Sequence, residues 1–175
     1  MKSKSNTFEN IVKPILVLTV ICIVVSGLLA LTNMVTAPVI ARNAQRKADA
    51  GRIALLPAAD AFQQIEYSDD VVSEVWAAEN GAGYVITGSA KGYGGDLPVM
   101  VGIGADGVIT AIQVMDNSET PNVGKKTMEP AFTDQFKGKS GSDEVAAISG
   151  ATISSTAVFK VVDAAMAAYQ TVKGA

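Results

Sequence analysis

No charged residue occurs between Pro14 and Ala41, and the stretch PILVLTVICIVVSGLLALTNMV inside that run is almost wholly apolar. It exceeds the roughly 20 residues that cross the hydrocarbon core of a bilayer. The pattern predicts a transmembrane anchor helix over 14–36. A cleaved signal peptide is the rival reading, but its apolar region spans about 7–15 residues and ends in a small-x-small cleavage site. Here the run is longer and no clean site follows. A buried helix of a soluble domain is a third alternative. Next, RNAQRKADAGRIALL continues in helical spacing as far as Pro57. It reads as a juxtamembrane helix within segment 37–57 that spaces the following domain from the bilayer.

After residue 57 the period changes. SEVWAAENGAGYVITGSA alternates and turns at Asn80-Gly81, which predicts two strands in a hairpin. LPVMVGIGADGVITAIQVMD places two β-rich runs around Asp106-Gly107, a favoured two-residue turn. A short helix is expected in KTMEPAFTDQFKG, interrupted or restarted at Pro130. Near the end, Val158, Val161, Val162, Ala165, Ala168, Tyr169 and Val172 recur at helical spacing. Thr156, Lys160, Asp163 and Gln170 fall on the opposite side. This predicts an amphipathic helix of about four turns packed on the sheet. The predicted class is α+β: one N-terminal transmembrane helix, then a single domain over 58–175 with an antiparallel sheet and flanking helices.

Composition narrows the chemistry. The formal net charge of −3 lacks the basic footprint of a nucleic-acid partner. The single cysteine, Cys22, lies in the apolar run, so no disulfide framework or thiolate metal site is expected. With no histidine in the chain, imidazole catalysis and imidazole ligation are excluded. No catalytic residue or metal ligand is therefore assigned. Charge leaves the orientation of the anchor open, since Lys2, Lys4 and Lys13 precede it and Arg42, Arg46 and Lys47 follow.

Three polar stretches remain. SGATISS, Ser149 to Ser155, holds four hydroxyl residues in seven directly ahead of the last helical pattern. Ser154 and Ser155 are N-cap candidates, with Gly150 making the turn. Capping is the ordinary reading. A helix N-terminus also favours phosphate, and a hydroxyl just ahead of its free amides could carry a phosphate ester. KGYGGDLP, Lys91 to Pro98, sets three glycines around one tyrosine. It is either a flexible loop or a place where backbone approaches a flat ligand. NSETPNVGKK, Asn117 to Lys126, puts Glu119, Thr120, Pro121 and Gly124 in a rigid turn, or simply ends a strand.

In this order, GYGG, ETPNVG and SGATISS resemble the FMN-binding domain family. That domain is found in the G subunit of the Rnf complex and in the C subunit of the sodium-pumping NADH:quinone reductase. The resemblance runs from Glu79 to Ala168, and SGAT is its most specific element. It implies FMN joined to Thr152 by a phosphoester, made by a separate flavin transferase that uses FAD and magnesium. It also implies cofactor contacts from Ser149, Gly150, Ala151, Ser154 and Ser155. Thr120 and Val123 are expected along the ring, with Gly95, Asp96 and Leu97 across from them, and Tyr93, Glu119 and Gly124 beside them. Two positions depart from the family pattern: Asn122 replaces the glycine of ETPG, and Ala146 replaces an acidic residue three positions ahead of SGAT. The short chain resembles the Rnf protein more than its longer relative.

The resemblance implies an electron-relay subunit in a complex that couples electron flow between ferredoxin and NAD to movement of sodium ions or protons. It implies no independent catalysis. Residues 1–13 would be cytoplasmic and the FMN domain extracytoplasmic, held at the cytoplasmic membrane by a single pass. Partners would be the other subunits, the transferase during maturation and the lipid bilayer, with no nucleic acid. Two alternatives stay open: a flavin-binding domain of another respiratory or extracellular electron-transfer system, and a non-redox binding module whose serines only cap a helix.

Overall fold

The computed structural model describes residues 12–67 and 69–173. The expected N-terminal segment 1–13 therefore lies, up to residue 11, outside the described residues. Helix α1 runs unbroken over Lys13–Leu55, with Pro38 inside it. Its Lys13–Ile40 part is long and apolar enough to cross a membrane, and its large apolar side chains are exposed. The hydroxyls of Thr19, Thr32 and Thr36 each donate to the carbonyl four residues earlier, at 2.8–2.9 Å. These polar groups are thus satisfied within the helix, as an apolar surrounding requires.

The chain forms two compact units, Met1–Lys47 and Ala48–Ala175. The second is built on a five-stranded antiparallel meander, in the order β1 (Phe62–Ile65), β2 (Val72–Ala78), β3 (Gly83–Lys91), β4 (Asp96–Gly104) and β5 (Ile109–Val114). The two predicted hairpins are β2–β3 and β4–β5. At the first, Gly81 has φ +72° and the Asn80 side chain accepts from the Ala82 amide at 3.1 Å. The second is not the two-residue turn that was expected. Gly107 N–H donates to the Gly104 carbonyl and Gly104 N–H to the Val108 carbonyl, both at 2.9 Å, with Gly107 at φ +83°. This is a three-residue loop, Ala105 to Gly107, closed by a left-handed glycine. Strand β1 escaped the sequence reading. Its residues FQQI do not alternate, and their burial follows only from pairing with β2, Phe62 opposite Ala78.

Between β5 and the last helix the chain makes only short pieces: a 3-10 turn at Gly124–Met128, helix α2 at Pro130–Thr133, with Pro130 at its start, and a second 3-10 turn at Asp134–Phe136. Helix α3 (Thr152–Lys173) packs on one face of the sheet. Val158, Val161, Val162, Ala165 and Tyr169 meet Val75, Ile86, Val99, Val101 and Ile103 in the larger core. The helical face read from the sequence is the buried one, but the helix has 22 residues, about six turns. The opposite face of the sheet carries a smaller core of Leu55, Leu56, Ala59, Ala78, Val85 and Met100. The end of α1 is therefore part of the domain, and the spacer reading of this segment needs correction. Packing is tight enough that a Cβ at Gly51 would lie 2.9 Å from Gln113 Oε1, and one at Gly102 2.8 Å from the Leu55 carbonyl. Arg52 fastens the contact. Its buried guanidinium pairs with Asp49 at 2.6 Å and Glu74 at 3.2 Å, and lies 3.8 Å over the Trp76 ring.

Candidate functional site

The three polar stretches, far apart in sequence, close around one hollow of about 480 Å³. Tyr93 lies on one side, Glu119, Thr120, Val123 and Gly124 on another, and Gly150 to Ser154 on the third. Its volume is in the range of ligand pockets.

The third wall is the start of α3. Gly150, at φ +81°, turns the chain, and the helix begins at Thr152. Ser154 and Ser155 thus lie inside the first turn and are not its N-cap; the residue ahead of the helix is Ala151. The first bond of the helical pattern here is Ser155 N–H to the Ala151 carbonyl, at 2.9 Å. Among the described residues, no acceptor meets the N–H groups of Thr152, Ile153 and Ser154. The first turn of a helix leaves such amides free by geometry.

The four hydroxyls of SGATISS fare differently. Ser155 is wholly buried: it donates to the Ala151 carbonyl and accepts from Ile148 N–H, both at 3.0 Å. Ser154 is buried and donates to Glu119 Oε2 at 2.6 Å. Ser149 is exposed but does not line the hollow. Thr152 is exposed and does line it.

The middle wall is a tight turn after β5. The N–H groups of Val123 and Lys125 both reach the Thr120 carbonyl, at 3.2 Å. Asn122 sits at φ +61°. That left-handed conformation suits glycine best and asparagine next. Asparagine is thus a residue whose backbone suits this position of the turn. In the first wall, Gly92 N–H donates to the Gly95 carbonyl at 2.8 Å and closes the loop that projects Tyr93. Here too the sequence reading needs correction. A Cβ at Gly94 would run into the Ser118 carbonyl, and one at Gly92 or Gly124 into the Glu119 carboxylate. These glycines make room for the neighbouring turn.

Other expected contacts lie elsewhere. Leu97 is fully buried in the larger core. Gly95 closes its own loop and does not line the hollow, and Asp96 borders a separate depression with Asp70, Lys91 and Lys160. Conversely, Ile153 lines the hollow and was not singled out. It sits inside the motif, and only the helix start shows which way it faces. With Tyr93 (73% exposed) and Val123 (41%), Ile153 (57%) supplies an apolar border. An apolar border, free helix amides and an exposed hydroxyl fit a flat ligand with an anionic end.

Comparison with known proteins agrees. Residues 92–167 match the FMN-binding domain family, and residues 1–50 match the RnfG N-terminal region. The chain is 36% identical to the G subunit of the Na(+)-translocating ferredoxin:NAD(+) oxidoreductase complex of Acetobacterium woodii, covering 89% of each chain. It is 30% identical to the G subunit of the proton-translocating ferredoxin:NAD(+) oxidoreductase complex of Clostridium ljungdahlii, over 90% of each. A third relative, the G subunit of the ion-translocating oxidoreductase complex of Methanosarcina acetivorans, is 34% identical over 90% of this chain and 94% of its own. Among solved structures, the C subunit of the Na(+)-translocating NADH-quinone reductase of Parabacteroides distasonis matches with a TM-score of 0.49 and 21% identity, over 65% of this chain and 73% of that one. From its matches along nearly the whole length of the three sequence relatives, the chain belongs to the family of G subunits of ion-translocating ferredoxin:NAD(+) oxidoreductase complexes, and it carries an FMN-binding domain.

Proposed function

We propose that this chain is the electron-relay subunit of a membrane complex that couples ferredoxin–NAD electron transfer to movement of sodium ions or protons, and that it holds FMN through a phosphoester on Thr152. One observation carries the assignment of the acceptor. Of the hydroxyls in SGATISS, only that of Thr152 is both exposed and on the hollow. Ser154 and Ser155 are consumed by internal hydrogen bonds.

Bound here, FMN would supply the redox chemistry, and the protein its position and electrical surroundings. The amides of Thr152, Ile153 and Ser154 would face the phosphate, aided by the positive end of the α3 dipole. Tyr93, Val123 and Ile153 would flank the ring, with the Thr120 hydroxyl near its polar edge. Attachment would be made by a separate flavin transferase, as the family resemblance implies, and the absence of histidine from the chain is compatible with that. Ala146 is exposed and its N–H donates to Gln135 Oε1 at 3.2 Å, so an altered recognition by the transferase would act at the surface. The exposed apolar side chains of Lys13–Ile40 support a single-pass anchor over 14–36 in the lipid bilayer. The orientation proposed places the N-terminus in the cytoplasm and the FMN domain outside.

The test is direct. The full chain is co-expressed with a flavin transferase, denatured and examined for flavin fluorescence in the protein band. Thr152→Val is expected to abolish the signal, while Ser149→Ala keeps it. Covalent flavin retained in Thr152→Val rejects the assignment.

A further inference from the structure

One side chain on the hollow is buried and bonded to two of its other walls. Glu119 is 3% exposed, and among the described residues no ion pair includes it. Its Oε1 accepts from Gly94 N–H at 2.9 Å, in the GYGG loop 25 residues upstream. Its Oε2 accepts from Ser154 Oγ at 2.6 Å, in α3, 35 residues downstream. The shorter contact has the length of a charge-assisted O–H···O bond. The backbone is shaped around this group. Gly92 stands against Oε1 and Gly124 against Oε2, so close that a Cβ at either position would push the carboxylate aside, and a Cβ at Gly124 would also come within 2.8 Å of Ser154 Oγ. Burying a carboxylate without a counter-ion is costly, and apolar side chains would join three loops with less penalty. What a carboxylate adds is two directed acceptors that set the spacing of the loops.

We propose that Glu119 is a positioning residue of the flavin site. Through Gly94 and Ser154 it fixes the distance between the Tyr93 loop and the helix start that carries Thr152. It makes its contribution through those two protein donors. This inference rests on the covalent-flavin reading for its functional consequence, but the clamp itself can be tested without flavin.

Two measurements on the full chain separate the cases. With transferase present, Glu119→Ala and Ser154→Ala are each expected to lower the fraction of Thr152 carrying flavin about tenfold, the scale of one lost charge-assisted hydrogen bond. The double variant should be no worse than Glu119→Ala alone, because both remove one linkage. Glu119→Gln still accepts from Gly94 and can bond to Ser154, so it should restore most of the occupancy. Gly92→Ala, which displaces the carboxylate while keeping its chemistry, should resemble Ser154→Ala and serves if Glu119→Ala does not fold. Occupancy near that of the unaltered chain in both Ser154→Ala and Gly92→Ala overturns the proposal, as does equal loss in Glu119→Gln and Glu119→Ala. Without transferase, hydrogen exchange at the Gly94 amide should rise about tenfold in Ser154→Ala. Unchanged exchange there overturns the clamp even if flavin attaches. Flavin missing from Thr152 in the unaltered chain instead rejects the covalent reading, and Gly94 exchange then decides the clamp alone.

Discussion

Thr152 and Ser154 lie two residues apart in the first turn of α3, and their hydroxyls meet different fates. Ser154 is buried and bound to Glu119 at 2.6 Å, whereas Thr152 is exposed along the hollow. The helix explains the division. Each residue turns the chain by about 100°, so positions two apart face nearly opposite ways. One hydroxyl is engaged inside the protein and the other is left open to the hollow.

Thr120 and Val123 border the hollow without being the proposed acceptor. Thr120→Ala and Val123→Asp should therefore leave flavin attachment largely intact. Each should shift the flavin absorption band or the reduction potential, the latter by about 30 mV, which is roughly 1.4 kcal/mol for a two-electron couple. Spectra and redox titrations of both variants give the check. Unchanged spectra and potentials in both would place the ring away from this turn.

Asn122 occupies a left-handed backbone position. Asn122→Gly should stay within about 1 kcal/mol of the unaltered chain, since glycine relieves the backbone but has more freedom to lose on folding. Asn122→Val should cost about 1–2 kcal/mol, because a β-branched side chain fits this conformation poorly. Thermal unfolding of the three chains in one detergent provides the comparison. Equal stability of the valine variant would mean that the turn relaxes to another conformation.

Arg52 joins the end of α1 to β2 through Glu74 and the Trp76 ring. Arg52→Ala should destabilise the domain by about 2–3 kcal/mol, mostly through lost packing and the cation–π contact, because Asp49 and Glu74 are partly in solvent. Arg52→Lys should recover only part, since an ammonium cannot reproduce the planar stack. Trp76 is the chain's one tryptophan, so its fluorescence reports the transition directly. A cost below about 0.5 kcal/mol, the range of ordinary surface changes, would show that the contact contributes little.

Topology can be read from one exposed loop. Ser140 is exposed, and Cys22 lies in the apolar run. In a Cys22→Ser background, Ser140→Cys should react with an impermeant thiol reagent on intact cells, with the N-terminus uncleaved. Labelling only after lysis would reverse the proposed orientation. A mature N-terminus close to Ala41 would show cleavage.

Much of this protein was legible locally. An apolar run of this length allows few structures besides a long helix, and it is one in the fold. The two hairpins follow from alternation interrupted by Asn80-Gly81 and Asp106-Gly107, and α3 from its repeated apolar face. Such signals come from neighbours along the chain, so they survive without knowledge of the fold. The motifs were also visible, but what each residue does in them was not. Ser154 and Ser155 looked like caps until the helix start fell at Thr152, which alone determines which hydroxyls face inward. Gly92 and Gly94 looked like room for a ligand, and they prove to be room for Glu119 and the Ser118 carbonyl. Leu97 sits in a motif yet belongs to the core, because strand pairing turns it inward. The end of α1 looked like a spacer until the second sheet face needed cover, and β1 had no pattern apart from its partner. In each case the deciding contact joins residues distant in sequence. Only folding brings those residues together, so no local pattern could record it.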